Sequence, residues 1–180
     1  MPIDPVRISK FLSLVLRHEP EAIGLVIDAE GWTDVDDLIA KASAACMPIT
    51  RNDLLTVVRT SDKRRFSLSA DGRRIRAAQG HSIAVDLALP PREPPNVLFH
   101  GTATRFLAAI LREGLEPRSR RHVHLSLDEA TARRVGQRHG TPAILTVDAA
   151  AMHAAGLAFY LADNGVWLTE RVPPQYLKTG

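Results

Sequence analysis

Arg17 and His18 stand side by side at the end of an apolar run, SLVLRHEP, and Pro20 stops any helix just after them. A permanent cation beside a base that titrates near neutral pH suits anion binding joined to proton transfer. Its charged neighbours make His18 a poor core histidine. Further along, HVHLS sets His122 and His124 on one face of a strand, because strand side chains alternate. With His100 these imidazoles admit two uses. They can ligate a catalytic zinc, although no general-base carboxylate stands beside them. They can equally hydrogen-bond a ribose or a pyrophosphate. FHGT and NGVW place glycines where a backbone can approach a ligand closely. Neither is a G-x-G-x-x-G fingerprint and no Walker motif occurs, so a nucleotide bound here would not use a Rossmann site.

The cations are mostly of one kind. Lysine occurs only at positions 10, 41, 63 and 178, and the rest of the 23 basic residues are arginine. Arginine offers phosphate a planar fork of donors that lysine lacks. A GC-rich genome would raise the arginine total, but it does not explain the cluster in DKRRFSLSADGRRIR. The net charge of +3 adds a weak pull toward a polyanion. One cysteine, Cys46, rules out an intrachain disulfide and suits a reducing cytosol, so a cytoplasmic location is expected. No stretch is long and apolar enough to span a bilayer, and the N-terminal apolar block lacks a signal-peptide cleavage site.

Two lobes must position these residues. Pro90, Pro91, Pro94 and Pro95 deny residues 90–95 a helix or a central strand. They are expected to form a stiff linker between a first lobe, 1–89, and a second, 96–180. In the first lobe, Ile8, Phe11, Leu12 and Val15 have helical spacing. GLVIDAEGW suggests a short strand turning at Gly31. TDVDDLIAKA predicts a helix capped by Thr33, and TRNDLLTVVRTS a helix capped by Thr50 with Asp53. RFSLS and RRIRAA then read as a hairpin turning at Asp71-Gly72. Three helices followed by a hairpin is the winged-helix layout. The second lobe reads as a strand ending at His100, a helix stopped by Gly114, a strand over HVHLSL, and a helix over DEATARRVGQRHG. A strand over PAILTVDA and two strands around Asn164-Gly165 complete it. The class is α+β, because strand–helix alternation is too sparse for a doubly wound sheet.

In order along the chain, SKFLSLVLRHEP, GW, KRRFSLS, IRAAQGHSI, LFHGT, REGLEPRSRRHVHLS and DNGVWLTERVPPQYL resemble the NAD-dependent RNA 2′-phosphotransferase family. The joint order of LRH, AAQGHS, HGT and HVHLS is specific where any single motif is not. The resemblance implies a winged-helix RNA-binding lobe and an ADP-ribosyltransferase-like lobe that holds NAD, which is consumed. It implies that an internal 2′-phosphate of a tRNA-like RNA attacks the nicotinamide riboside carbon and expels nicotinamide. The ribose 2″-hydroxyl then attacks that phosphate, giving RNA with a free 2′-hydroxyl and ADP-ribose 1″,2″-cyclic phosphate. By motif, the catalytic residues are Arg17, His18, Arg65 and Arg120. The NAD contacts are His100, Gly101, Thr102, His122, His124, Ser126 and Val166, with no metal. Arg64 adjoins Arg65 and Arg121 adjoins Arg120, so the register at those two arginines stays open. Capping of terminal RNA or DNA phosphates by ADP-ribose, and plain nucleic-acid binding without catalysis, are the alternatives. A monomer is the default expectation.

Overall fold

The computed structural model describes residues 4–61 and 63–180 and divides the chain into two units, Met1–Ala88 and Leu89–Gly180. Both are α+β, and every pairing within the sheets is antiparallel.

The first unit starts with helix α1, Pro5–Arg17. Asp4 caps it by accepting from the Val6 N–H at 3.0 Å. Ile8, Leu12, Val15 and Leu16 form a buried stripe at helical spacing. The helix gives out where the sequence requires it. Pro20 opens a 3-10 turn, Pro20–Ile23, which closes on Gly24 at φ 64°. Arg17 and His18 therefore sit at a fixed helix terminus.

Residues 25–28 of GLVIDAEGW form no strand. Asp28 closes a loop there, with its carboxylate accepting from the Glu30 and Trp32 N–H groups and its own N–H donating to the Trp32 carbonyl. Gly31, at φ 87°, makes the turn. Helix α2, Val35–Ala44, is capped by Asp34 and not by Thr33. Thr33 is buried in strand β1, Thr33–Asp34, opposite Ile75. Asp34 reaches the Asp36 and Asp37 N–H groups at 2.8 and 2.9 Å. Helix α3, Arg51–Thr60, carries the expected capping box of Thr50 and Asp53. Strands β2, Phe66–Leu68, and β3, Arg74–Ala77, form the expected hairpin, and β1 joins it in the order β1-β3-β2. Leu12, Leu16, Leu38, Leu54 and Ile75 are fully buried between helices and sheet. After β3 the chain doubles back. Ala78 donates to the Arg65 carbonyl, Ser82 to the Arg17 carbonyl and Asp86 to the Ala29 carbonyl.

The second unit holds two three-stranded sheets. One is β4 (Val97–Ala103), β6 (Pro142–Asp148) and β9 (Leu177–Thr179), in the order β4-β6-β9. The other is β5 (Val123–Leu125), β8 (Trp167–Thr169) and β7 (Phe159–Leu161), in the order β5-β8-β7. Phe99 and Ser126 exchange N–H···O bonds at 2.9 and 2.7 Å and tie β4 to the end of β5. Strand β4 runs three residues beyond His100, because its pairing with β6 continues to Ala103. Helix α4, Thr104–Glu113, stops at Gly114 (φ 89°), as its sequence predicts. Helix α5, Glu129–Gly136, is capped by Asp128, and α6, Ala149–Ala154, by Asp148. Pro91 bridges Tyr160, and the Arg92 N–H donates to the Phe159 carbonyl. The proline-rich segment is thus extended along β7. No described helix is long and apolar enough to cross a membrane.

Candidate functional site

In the first unit, three of the residues singled out in the sequence come together. The Arg17 guanidinium donates to the Arg65 carbonyl at 3.4 Å, and that carbonyl also accepts the Ala78 N–H at 2.9 Å. The Arg65 guanidinium donates to the hydroxyl of Ser9, a buried residue of α1, at 3.3 Å. The Ser82 N–H donates to the Arg17 carbonyl at 2.9 Å, and the Ser82 hydroxyl lies 2.8 Å from His18 Nδ1. Helix end, hairpin and returning segment thus hold Arg17, His18 and Arg65 as one group. Arg64 stands apart. It is exposed, at φ 40°, whereas Arg65 is half-buried against α1. Of the two adjoining arginines, Arg65 is the one the fold ties to the helix end.

Next to this group lies a residue the sequence did not flag. His81 is only 5% exposed. Burial first, then the charges of Arg17, His18 and Arg76, push its pKa down to about 4. It is neutral at pH 7. An unfolded histidine titrates near pH 6.5, so the unfolded chain takes up the proton first as pH falls. Folding stability contributed by the neutral ring is therefore complete above about pH 6.5 and is lost between there and about pH 4, a change of roughly 3 kcal/mol. Urea unfolding at pH 7, 5 and 4 checks this. His81→Asn should flatten the pH dependence, and equal slopes in variant and parent would refute the assignment.

In the second unit His100 and His124 stand on strands of the two different sheets and are tied together. His100, on β4, has Nδ1 at 3.1 Å from the His124 carbonyl. A carbonyl only accepts, so Nδ1 carries the proton and Nε2 is left as an acceptor. Burial is the main force lowering its pKa, the charge of His139 adds to it, and the carbonyl bond opposes; the ring stays neutral. His124 has the opposite tautomer. Its Nδ1 lies 2.8 Å from an Arg120 nitrogen, and a guanidinium only donates, so the ring proton sits on Nε2. The structure therefore joins Arg120 to His124. Desolvation, then the nearby charge of Arg138, lower the Arg120 pKa, yet an arginine stays cationic at neutral pH. His122 packs its ring against Tyr160, centroids 5.5 Å apart. Tyr160 and His124 both pair with Leu168 of β8, so the two lie on one face of that sheet. Tyr160 was missed in the sequence, where AFYLADNGVW offers only a period-two pattern.

The remaining residues named for NAD lie on β4, at the β4–β5 junction and in the β7–β8 turn. Thr102 is buried two residues beyond His100 on the same side of β4. Gly101 faces the other way, where an added Cβ would sit 1.7 Å from the Ala132 carbonyl oxygen. That position is glycine because α5 packs directly on β4. Ser126 sits at the junction of the two sheets. Val166 is held in the β7–β8 turn, its N–H on the Asn164 side chain and its carbonyl accepting from Ala162. The set offers an imidazole acceptor, an imidazole donor, a guanidinium and an aromatic ring, which together suit a ligand carrying sugar hydroxyls and phosphate. Among the described residues, no group of three or more His, Cys, Asp or Glu is arranged to hold a metal ion.

Residues 4–171 match the family described as "RNA 2'-phosphotransferase, Tpt1 / KptA family". A "Probable RNA 2'-phosphotransferase" from Agrobacterium fabrum is 66% identical over 169 residues, covering 94% of this chain and 91% of the relative. Proteins of the same description from Pseudomonas aeruginosa and Streptomyces coelicolor are 58% and 56% identical, each covering 94% of the relative and 94% and 96% of this chain.

Proposed function

We infer the reaction from one premise: the chain belongs to the RNA 2′-phosphotransferase, Tpt1 / KptA family and is an RNA 2′-phosphotransferase. The finer proposal is that it takes an internal 2′-monophosphate from a tRNA-like RNA and passes it to NAD. The observation that carries it is the grouping of Arg17, His18 and Arg65 at the end of α1. Two forks and a titratable imidazole match a phosphate dianion that is later transferred. We read the first unit as a winged helix, supported by α1, α2 and α3 followed by the β2–β3 hairpin. We read the second as an ADP-ribosyltransferase-type lobe, supported by its two small sheets and the His100–His124 contact that joins them.

NAD, the second substrate in this reading, supplies an electrophilic ribose carbon and a nicotinamide leaving group. The chain's residues do the rest. With the tautomers set by their partners, His100 Nε2 would accept from one ribose hydroxyl and His124 Nε2–H would donate to another. Tyr160 would pack along a flat ring, and Arg120 would face phosphate. Arg17 and Arg65 grip the RNA 2′-phosphate and orient it. In the first step a phosphate oxygen bonds to the ribose carbon, the carbon–nitrogen bond breaks, and no proton moves. In the second, the ribose 2″-oxygen bonds to phosphorus and its proton passes to His18. The bond from phosphorus to the RNA 2′-oxygen breaks, and that oxygen leaves with its electron pair and takes up a proton.

The test is incubation with NAD and an oligonucleotide bearing one internal 2′-phosphate, with chromatography of all products. Equal amounts of nicotinamide, 2′-hydroxyl RNA and ADP-ribose 1″,2″-cyclic phosphate are expected. Release of inorganic phosphate without nicotinamide would overturn the proposal. A lasting ADP-ribose cap on a terminally phosphorylated oligonucleotide, with the internal phosphate untouched, would replace it with the capping reaction.

A further inference from the structure

The Ser82 hydroxyl has two neighbours, and their chemistry differs. One is the Arg17 carbonyl at 3.5 Å, which can only accept and so offers the serine's proton a long-range acceptor. The other is His18 Nδ1 at 2.8 Å. With its proton turned to the carbonyl, the serine oxygen presents lone pairs to the imidazole, and Nδ1 must donate. We propose that Ser82 is a positioning residue that holds His18 in the Nδ1–H tautomer, so that unprotonated Nε2 is the atom that exchanges a proton with the substrate. This rests on the reading of His18 as the proton carrier of the second step.

Three observations make Ser82 a fixed support. Its N–H donates to the same Arg17 carbonyl at 2.9 Å, which locks the serine backbone to the helix end. The preceding residue, His81, is buried and anchors the segment in the unit's interior. Four residues before Ser82, the Ala78 N–H holds the Arg65 carbonyl. One short stretch, residues 78–82, therefore sets the backbone of Arg65 and Arg17 and the ring of His18. An orienting partner on the far ring nitrogen is how imidazoles are held in their working tautomer.

Nitrogen-15 imidazole spectra of the whole protein test this directly, with the His18 signals assigned by their loss in His18→Gln. The parent should show a protonated Nδ1 and a bare Nε2, and Ser82→Ala should show the two forms mixed. On 2′-phosphate RNA, Ser82→Ala should slow resolution of the ADP-ribosylated RNA about 10–100-fold, by analogy with the loss of a partner that orients a metal-bound histidine. Nicotinamide release and the KM for RNA should be unchanged. Ser82→Thr should restore both tautomer and rate. A bare Nδ1 in the parent, or a Ser82→Ala protein with unaltered tautomer and rate, would overturn the proposal. So would equal slowing of both steps with weakened RNA binding, which marks a structural role. Should the parent fail to act on 2′-phosphate RNA at all, the reaction assigned above fails, and the spectra still decide whether Ser82 sets the tautomer.

Discussion

Arg65→Ala is expected to slow phosphate transfer by about 10²–10³-fold, the loss seen when one preorganised donor to a developing anion is removed. That is roughly 3–4 kcal/mol of transition-state stabilisation. Arg65 is preorganised in the required sense. Its carbonyl is held by Ala78 and Arg17, and its guanidinium rests against the Ser9 hydroxyl, so little rotamer freedom remains to be lost on binding phosphate. Arg65→Lys should recover little, because a point charge cannot make two parallel bonds to one phosphate. Arg64→Ala is the control. Arg64 is exposed and outside the group, and its loss should cost less than about tenfold, as for a solvated surface charge. Single-turnover kinetics on an oligonucleotide with one internal 2′-phosphate, with thermal melting to confirm folding, measures all three. Reversed ranks for Arg64 and Arg65 would place the phosphate elsewhere.

That ranking also shows what could be read from residue order. The stop at Pro20 announces that Arg17 and His18 end a helix, because proline cannot continue one. The capping box of α3 and a strand through His124 follow from patterns of a few residues, and the structure has them, although β5 starts at Val123 and leaves His122 just before it. Contacts across long separations were not legible. Ser82 reaches His18 over 64 residues, and the meeting depends on how the chain returns after β3. Tyr160 joins His122 only through the register of β7 on β8 and β8 on β5. The short helix α6 escaped notice because AAAMHA carries no polar–apolar pattern, only a capping Asp148. Strand β9 is three residues long and owes its existence to pairing with β6. The cap of α2 moved from Thr33 to Asp34 because burial of Thr33 in β1 outweighed its preference for a cap. The glycine of HGT looks in sequence like a place for close ligand approach. Its Cβ direction is instead filled by α5, a packing requirement that no local motif expresses.

His18→Ala should divide the reaction in two. In the first step of the proposed reaction the nucleophile is a phosphate oxygen that is already anionic, so no base is needed and nicotinamide should still leave, one equivalent per RNA. This also fits a second unit to which no catalytic carboxylate is assigned, although Glu170 follows β8. In the second step a hydroxyl must lose a proton and an alkoxide-like oxygen must gain one. A positioned imidazole contributes about 10²–10⁴-fold to such a transfer. The variant should therefore accumulate ADP-ribosylated RNA, while cyclic phosphate formation falls by that factor. Arg65→Ala should differ in kind, lowering both steps, because both need the phosphate held. Rapid-quench sampling of nicotinamide, modified RNA and cyclic phosphate separates the two patterns. If His18→Ala stalls before nicotinamide leaves, the imidazole acts in the first step, and the Nδ1 contact with Ser82 then serves to hold a phosphate donor in place of a base.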